Sequence, residues 1–221
     1  KTASVVRDRI SIDSWKVLAR VRRDSVRGRA SPAGPGADVL SHLDALIFDL
    51  SAFAGLGTEN MTRGPGWRFL DMGRRIERAA FAITLLTTTL AAPRPQSFSE
   101  GQRADALRLE EMLLEIADSS MTYRNRYPGV LEAAPLVDLL VIDETNPRSV
   151  AFQFAALAEH VAALPREDAS PVLSDEQRSV MAAVARLRLA DVERLAAVDD
   201  HGGRPGLAAL LGGLEADVRA F

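Results

Sequence analysis

Trp67 to Leu90 reads WRFLDMGRRIERAAFAITLLTTTL, and this stretch decides the fold. It holds no proline, and its apolar residues recur every three to four positions, the spacing of an α-helix and not the alternation of a strand. With Phe69 as reference and about 100° per residue, Ile76, Ala80 and Ile83 fall on its side, while Trp67, Leu70, Phe81 and Leu85 fall nearly opposite. Two apolar faces on one helix predict burial on both sides, and so further helices around it. Asp71, Arg74, Glu77 and Arg78 project among the second apolar set, whereas Arg68 and Arg75 occupy the narrow sector left for water.

The pattern continues outward. Upstream, Ala37 to Met61 carries Leu40, Leu43, Leu46, Ile47, Leu50 and Phe53 at helical spacing and ends at Arg63-Gly64-Pro65-Gly66. A first helix, from Ala3 to Arg23, is separated from it by SVRGRASPAGPG, Ser25 to Gly36, whose Gly, Pro and Ser predict an exposed loop. Downstream, the breaker APRPQSFSE precedes a helix over Leu107 to Tyr123, and Leu136 to Ile142 reads as a short buried helix. Asn146 and Pro147 are a preferred cap and first helical residue, so a helix is expected to start there and run to Leu164. Ser174 to Gln177 forms a capping-box pattern at the head of another helix. After the GGRPG break at Gly202 to Gly206 a last amphipathic helix reaches Phe221. The expected fold is all-α, a bundle of about seven mostly antiparallel helices, forming a single domain over residues 1–221.

Composition narrows the function classes. At 221 residues, 47% apolar and 26% charged, the chain has enough core to fold without a staple. Its net charge of -3 offers no bulk attraction for nucleic acid or for an acidic membrane surface, so neither is expected as a partner. With no cysteine there is no disulfide, thiolate nucleophile or thiolate-bound metal, which fits a reducing compartment such as the cytoplasm. No apolar run approaches the roughly 20 residues that span a bilayer, and the opening KTASVVRDRI lacks a signal-peptide core. The chain starts at Lys1 directly in helical periodicity and reads as a piece of a longer protein.

Three segments carry candidate chemistry. Asp71, Arg74, Glu77 and Arg78 interrupt an apolar face, where charges must be paired or bind something. An internal ion-pair network, an anion site for phosphate or carboxylate, and a partner interface all satisfy that demand. The expected pairing sets Asp71 or Glu77 against Arg124, Arg126 or Arg148. In the second segment, SSMTYRNRY, Tyr123 and Tyr127 bracket Arg124 and Arg126, which suits oxyanions and equally suits the dipole at a helix C-terminus. In the third, DETNPRS, Asp143 and Arg148 flank a helix start and are not explained by capping. One pocket is expected to collect Arg74, Arg78, Tyr123, Arg124, Asp143 and Arg148. Of the 27 basic residues only Lys1 and Lys16 are lysines, so arginine clusters arise here partly from a chain-wide bias.

Nucleotide-binding, serine-hydrolase and paired-histidine motifs are absent from the sequence, His42, His160 and His201 lie far apart, and no cofactor or metal is implied. Glu111, Glu115 and Asp118 share a helix side without the histidines of a di-metal site.

Taken together, MTRGPGWRFLDMGRRIERA with its Glu77-Arg78 pair, DSSMTYRNRY and VDLLVIDETNPRSVAFQF resemble the alpha-E family, helical domains named for a Glu-Arg motif. The opening VVRDRISIDSW resembles the same family's first shared segment, and the resemblance runs from about Val5 to Leu164. A further N-terminal helix usual in the family is missing here. The resemblance implies an association with a circularly permuted ATP-grasp-like protein and transglutaminase-like proteases in a peptide or amide ligation system. It implies a non-catalytic scaffold or a module that binds substrate or partner, and the arginine clusters add the expectation of an anionic small molecule or peptide as ligand. The alternative is an enzyme, a hydrolase or transferase, that uses Asp71, Glu77 or Asp143 as acid or base.

Overall fold

The computed structural model describes residues 5–27, 37–93, 100–165 and 172–221. Among the described residues there are ten α-helices and no strand. In chain order they are α1 (Ile12–Arg27), α2 (Ala37–Asn60), α3 (Pro65–Leu86), α4 (Glu100–Ile116) and α5 (Ser120–Arg126). There follow α6 (Ala133–Val137), α7 (Val150–Ala162), α8 (Asp175–Arg188), α9 (Val192–Ala196) and α10 (Pro205–Ala220). Two helices were not expected as separate elements, α5 with seven residues and α9 with five, too few turns to show a period of 3.6, whereas α6 and the turn after it meet the short helix expected over Leu136 to Ile142.

Two compact units are present, Lys1–Phe69 and Leu70–Phe221. In the first, α1 packs along α2, and Arg20 Nε donates to Asp49 Oδ2 at 2.8 Å with Asp49 only 5% exposed. The Arg7 guanidinium lies 5.1 Å from the Trp15 ring, and Arg63 lies 4.4 Å from Trp67. The segment Val39–Asn60 is long and apolar enough, at a mean hydropathy of 1.5, to cross a membrane by length and composition. That corrects the expectation that no stretch reaches this length. Asp44, Asp49 and Glu59 interrupt the run, which is why uninterrupted apolar sequence understates it.

The second unit is built around α7, whose Phe154, Leu157 and Val161 pack against α8 and against Asp138–Ile142, a π-helical turn continuing α6. Leu207, Leu211 and Leu214 of α10 and Ile83 and Leu86 of α3 join the same core. Each such buried aliphatic side chain contributes about 1.5–3 kcal/mol relative to exposure. A second π turn, Thr87–Ala91, closes α3, and its late carbonyls have no N–H to accept from along the helix. Arg204, 9% exposed, supplies donors: its NH1 reaches the Leu90 carbonyl at 2.7 Å and its Nε the Ala196 carbonyl at 3.1 Å.

Several local expectations need correction. The helix expected to run to Tyr123 stops at Ile116 in a left-handed turn, with Asp118 at φ 48°. Ser119 N bonds the Leu114 carbonyl and Asp118 N the Glu115 carbonyl, both at 2.9 Å, which is a Schellman closure. The helix expected at Asn146 begins at Val150, capped by Ser149, whose hydroxyl accepts from Phe152 N at 3.0 Å. Asn146 instead donates to the Leu139 carbonyl at 3.0 Å and to Ser119 at 3.3 Å, pinning the loop to the core. The capping box at Ser174 and Gln177 is formed. The two apolar faces of α3 are not both closed, since Phe81 is 58% exposed. In the expected loop over Ser25 to Gly36, Ser25 to Arg27 belong to α1 and residues 28–36 lie outside the described residues, as do 94–99 of the expected breaker.

Candidate functional site

Asp71 sits on α3 where the helix faces α7, and it is 5% exposed. His160, in the last turn of α7 and 6% exposed, places Nε2 2.8 Å from Asp71 Oδ2. An ionised carboxylate only accepts, so Nε2 carries the proton in this contact. Arg75, a turn further along α3, donates to the same carboxylate through Nε at 3.0 Å and NH2 at 3.3 Å, and Arg74 reaches it at 3.4 Å. Burial alone would raise the Asp71 carboxyl, but the His160 hydrogen bond and the Arg75 guanidinium outweigh it and hold the group below the usual carboxylate range. Arg75 also donates to Gln153 Oε1 at 3.4 Å and lies 5.2 Å from the Phe152 ring. Its side chain is 16% exposed, so the sector assigned to water is in fact covered by α7. Asp71 thus takes its partners from α3 and α7, not from Arg124, Arg126 or Arg148.

Arg78 differs from its neighbours. Among the described residues it makes no hydrogen bond and no ion pair, and the same holds for Glu77, which is exposed. Arg78 is an exposed residue, yet desolvation beside the groove wall, and after it the charges of Arg148, Arg75 and Arg74, push its guanidinium below its ordinary pKa. Arg78 and Arg148 line one groove with an empty volume of about 370 Å³, whose other walls include Phe81, Leu85, Ile116 and Pro147. Arg148 NH2 donates to Asp118 at 2.7 Å, and Asp118 is 76% exposed.

The remaining predicted residues lie at two other places. Tyr123, 3% exposed, accepts from Glu132 N at 3.1 Å and, with Arg124, Glu111 and Glu115, lines a wider cleft with an empty volume of about 820 Å³. Arg126 pairs with Asp143 at 2.5 Å, and Asp143 also accepts from Thr145 N at 2.8 Å and from its hydroxyl at 2.7 Å. Burial alone would raise the Asp143 carboxyl; the two Thr145 hydrogen bonds and Arg126 bring it below its usual range instead. The Tyr127 hydroxyl donates to Asp138, and burial followed by that carboxylate pushes its pKa up to about 12. The structure therefore brings Arg78 together with Arg148, Tyr123 with Arg124, and Arg126 with Asp143.

Sequence reasoning missed two participants. His160 lies within the apolar stripe of α7, and a histidine on an apolar stripe signals a buried ring in need of a partner. Arg188 forks onto Glu144 through Nε at 2.6 Å and NH2 at 2.9 Å, and this contact holds the Glu144 carboxyl below its ordinary range. Among the described residues no group of three His, Asp or Glu side chains is arranged to hold a metal ion.

A sequence profile described as a predicted α-helical domain with a conserved ER motif matches residues 1–221, including the stretch beyond Leu164. Glu77-Arg78 is the Glu-Arg pair of this chain that the resemblance assigned to that motif. Uncharacterized protein Rv2567 of Mycobacterium tuberculosis is 32% identical over 225 residues, covering 98% of this chain and 24% of the relative. Uncharacterized protein Mb2597 of Mycobacterium bovis matches to the same extent. The chain thus spans about a quarter of the length of these relatives. No solved structure matches. With an all-α fold and a profile match along its whole length, the chain belongs to the Alpha-E family.

Proposed function

We propose that this chain is a non-catalytic helical module that binds a partner or substrate within an ATP-grasp-type peptide or amide ligation system, its macromolecular partner being a circularly permuted ATP-grasp-like protein. The supporting observation is the closure of Asp71 by His160 and Arg75. A general acid or base working near neutral pH needs a carboxyl pushed upward and facing an open pocket. Asp71 and Asp143 are both held low by their partners, and Glu77 is exposed without a neighbour to activate it. The rival reading, a hydrolase or transferase working through these three acids, therefore lacks a tuned proton-transfer group. Binding needs no such group: it needs donors with free valence beside an open surface, which Arg78 and the groove around it supply.

The test is direct association. The purified chain is titrated into a circularly permuted ATP-grasp-like protein, the proposed partner, and followed by sedimentation velocity. The expected result is a defined complex at micromolar concentration that weakens as salt is raised. Two species that sediment independently at tens of micromolar would reject the partner.

A further inference from the structure

We propose that the groove between Arg78 and Arg148 binds the free C-terminal carboxylate of a peptide whose last residue is aliphatic. This deepens the reading as a binding module and rests on it.

The first ground is uncompensated charge. Four guanidinium groups, Arg74, Arg75, Arg78 and Arg148, lie close enough for the other three to destabilise the charged form of Arg78. Facing them are Asp71, already taken by Arg75 and His160, and Asp118, which among the described residues pairs with Arg148 from an exposed position. Arginine stays charged here, and Arg78 and Arg148 are both exposed, so their charge faces the open side of the groove, where an anionic ligand can meet it. The second ground is the wall beside the cations. Phe81, one helical turn from Arg78, is 58% exposed, Ile116 is 50% exposed, and both line the same groove with Leu85. Cations set against bare apolar surface match a ligand that joins an anionic group directly to an aliphatic one.

The apolar wall decides the class of anion. Guanidinium forks bind carboxylate and phosphate alike. A peptide's terminal carboxylate carries its aliphatic side chain on the adjacent carbon, within reach of Phe81 and Ile116, whereas a phosphate monoester sets at least one more atom between the two. A free aliphatic amino acid carries the same carboxylate, but its ammonium group would enter a field of like charge; in a peptide that nitrogen is a neutral amide.

The experiment is calorimetric titration of the chain with acetyl-Ala-Ala-Leu as the free acid, its C-terminal amide, free leucine and inorganic phosphate. The free acid is expected to bind, with the amide, free leucine and phosphate each at least about tenfold weaker. Arg78→Gln and Arg148→Gln are each expected to weaken the free acid by about tenfold while circular dichroism stays unchanged. Equal binding of acid and amide, a preference for phosphate or free leucine, an Arg78→Gln variant that binds as tightly as the parent, or no binding up to millimolar peptide would each overturn the proposal. A complex with the ATP-grasp-like protein in the absence of peptide binding removes the ligand assignment and leaves the partner. Peptide binding without that complex does the reverse.

Discussion

His160 Nε2 and Asp71 Oδ2 are 2.8 Å apart across 89 positions of sequence, and neither residue is more than 6% exposed. The pair joins α3 to α7 at a buried point, and Arg75 adds a second donor to the same carboxylate. Removing one side of such a pair strands the other and costs about 3–5 kcal/mol. Asp71→Ala is therefore expected to lower unfolding free energy by about that amount, read from urea midpoints at pH 7. Glu77→Ala, on the same helix and exposed, should stay within about 0.5 kcal/mol of the parent. Equal losses for the two would show that Asp71 is not specially held.

Acid should find the same pair. Asp71 and Asp143 have folded-state pKa values below their ordinary ones, so their contribution is fully present above the unfolded value of about 3.9 and is lost as pH falls through the folded values. Stability from these groups should be flat between about pH 7 and 5 and decline below about pH 4. In Asp71→Ala the acid limb should be shallower. A parent curve that rises on acidification below pH 4 would reverse the sign argued here.

Gly129 has a φ of +127°, a region that side chains with a Cβ avoid, and no atom lies within 4 Å of where a Cβ would stand. Space is therefore not the constraint, and backbone strain is. Gly129→Ala is expected to cost about 1–3 kcal/mol, again by urea midpoint. An unchanged midpoint would mean that the turn between α5 and α6 relaxes without loss.

What could be read from sequence follows from which interactions are local. The limits of α2, the start of α3, the Ser174 capping box and the helix after Gly202 depend on neighbours in sequence, and these match the structure within a few residues. Arg75 was misplaced because a helical wheel gives angles and not neighbours; α7 covers that sector with Phe152 and Gln153. Asn146 was read as a cap because Asn146 and Ser149 both have capping side chains, and only the long-range bonds of Asn146 to Leu139 and Ser119 decide between them. The same limit applies to the site. The expected pocket joins Arg78 and Arg148 to Tyr123, Arg124 and Asp143; Arg78 and Arg148 line one groove, whereas Tyr123 and Arg124 line another cleft and Asp143 pairs with Arg126, a division set by long-range packing that no local pattern encodes.

Asp118 tests the groove from its rim. It occupies the left-handed position of the Schellman closure after α4, a conformation that asparagine tolerates about as well as aspartate. Asp118→Asn therefore keeps the turn and removes the one carboxylate that meets Arg148, at 2.7 Å. Because Asp118 is 76% exposed, the lost ion pair should lower stability by no more than about 1 kcal/mol. Ligand binding should move in the other direction. With its fork released, Arg148 offers its full charge to the groove, and the affinity for acetyl-Ala-Ala-Leu free acid should rise about twofold to fivefold, the worth of an exposed pair. The dependence of that affinity on salt should steepen as well, since one more uncompensated cation faces the ligand. If Arg148 serves only to hold the turn, Asp118→Asn will leave peptide affinity unchanged. If Asp118 itself contacts the peptide through its carboxylate, affinity will fall. Calorimetric titration of the variant and the parent at two salt concentrations separates the three outcomes.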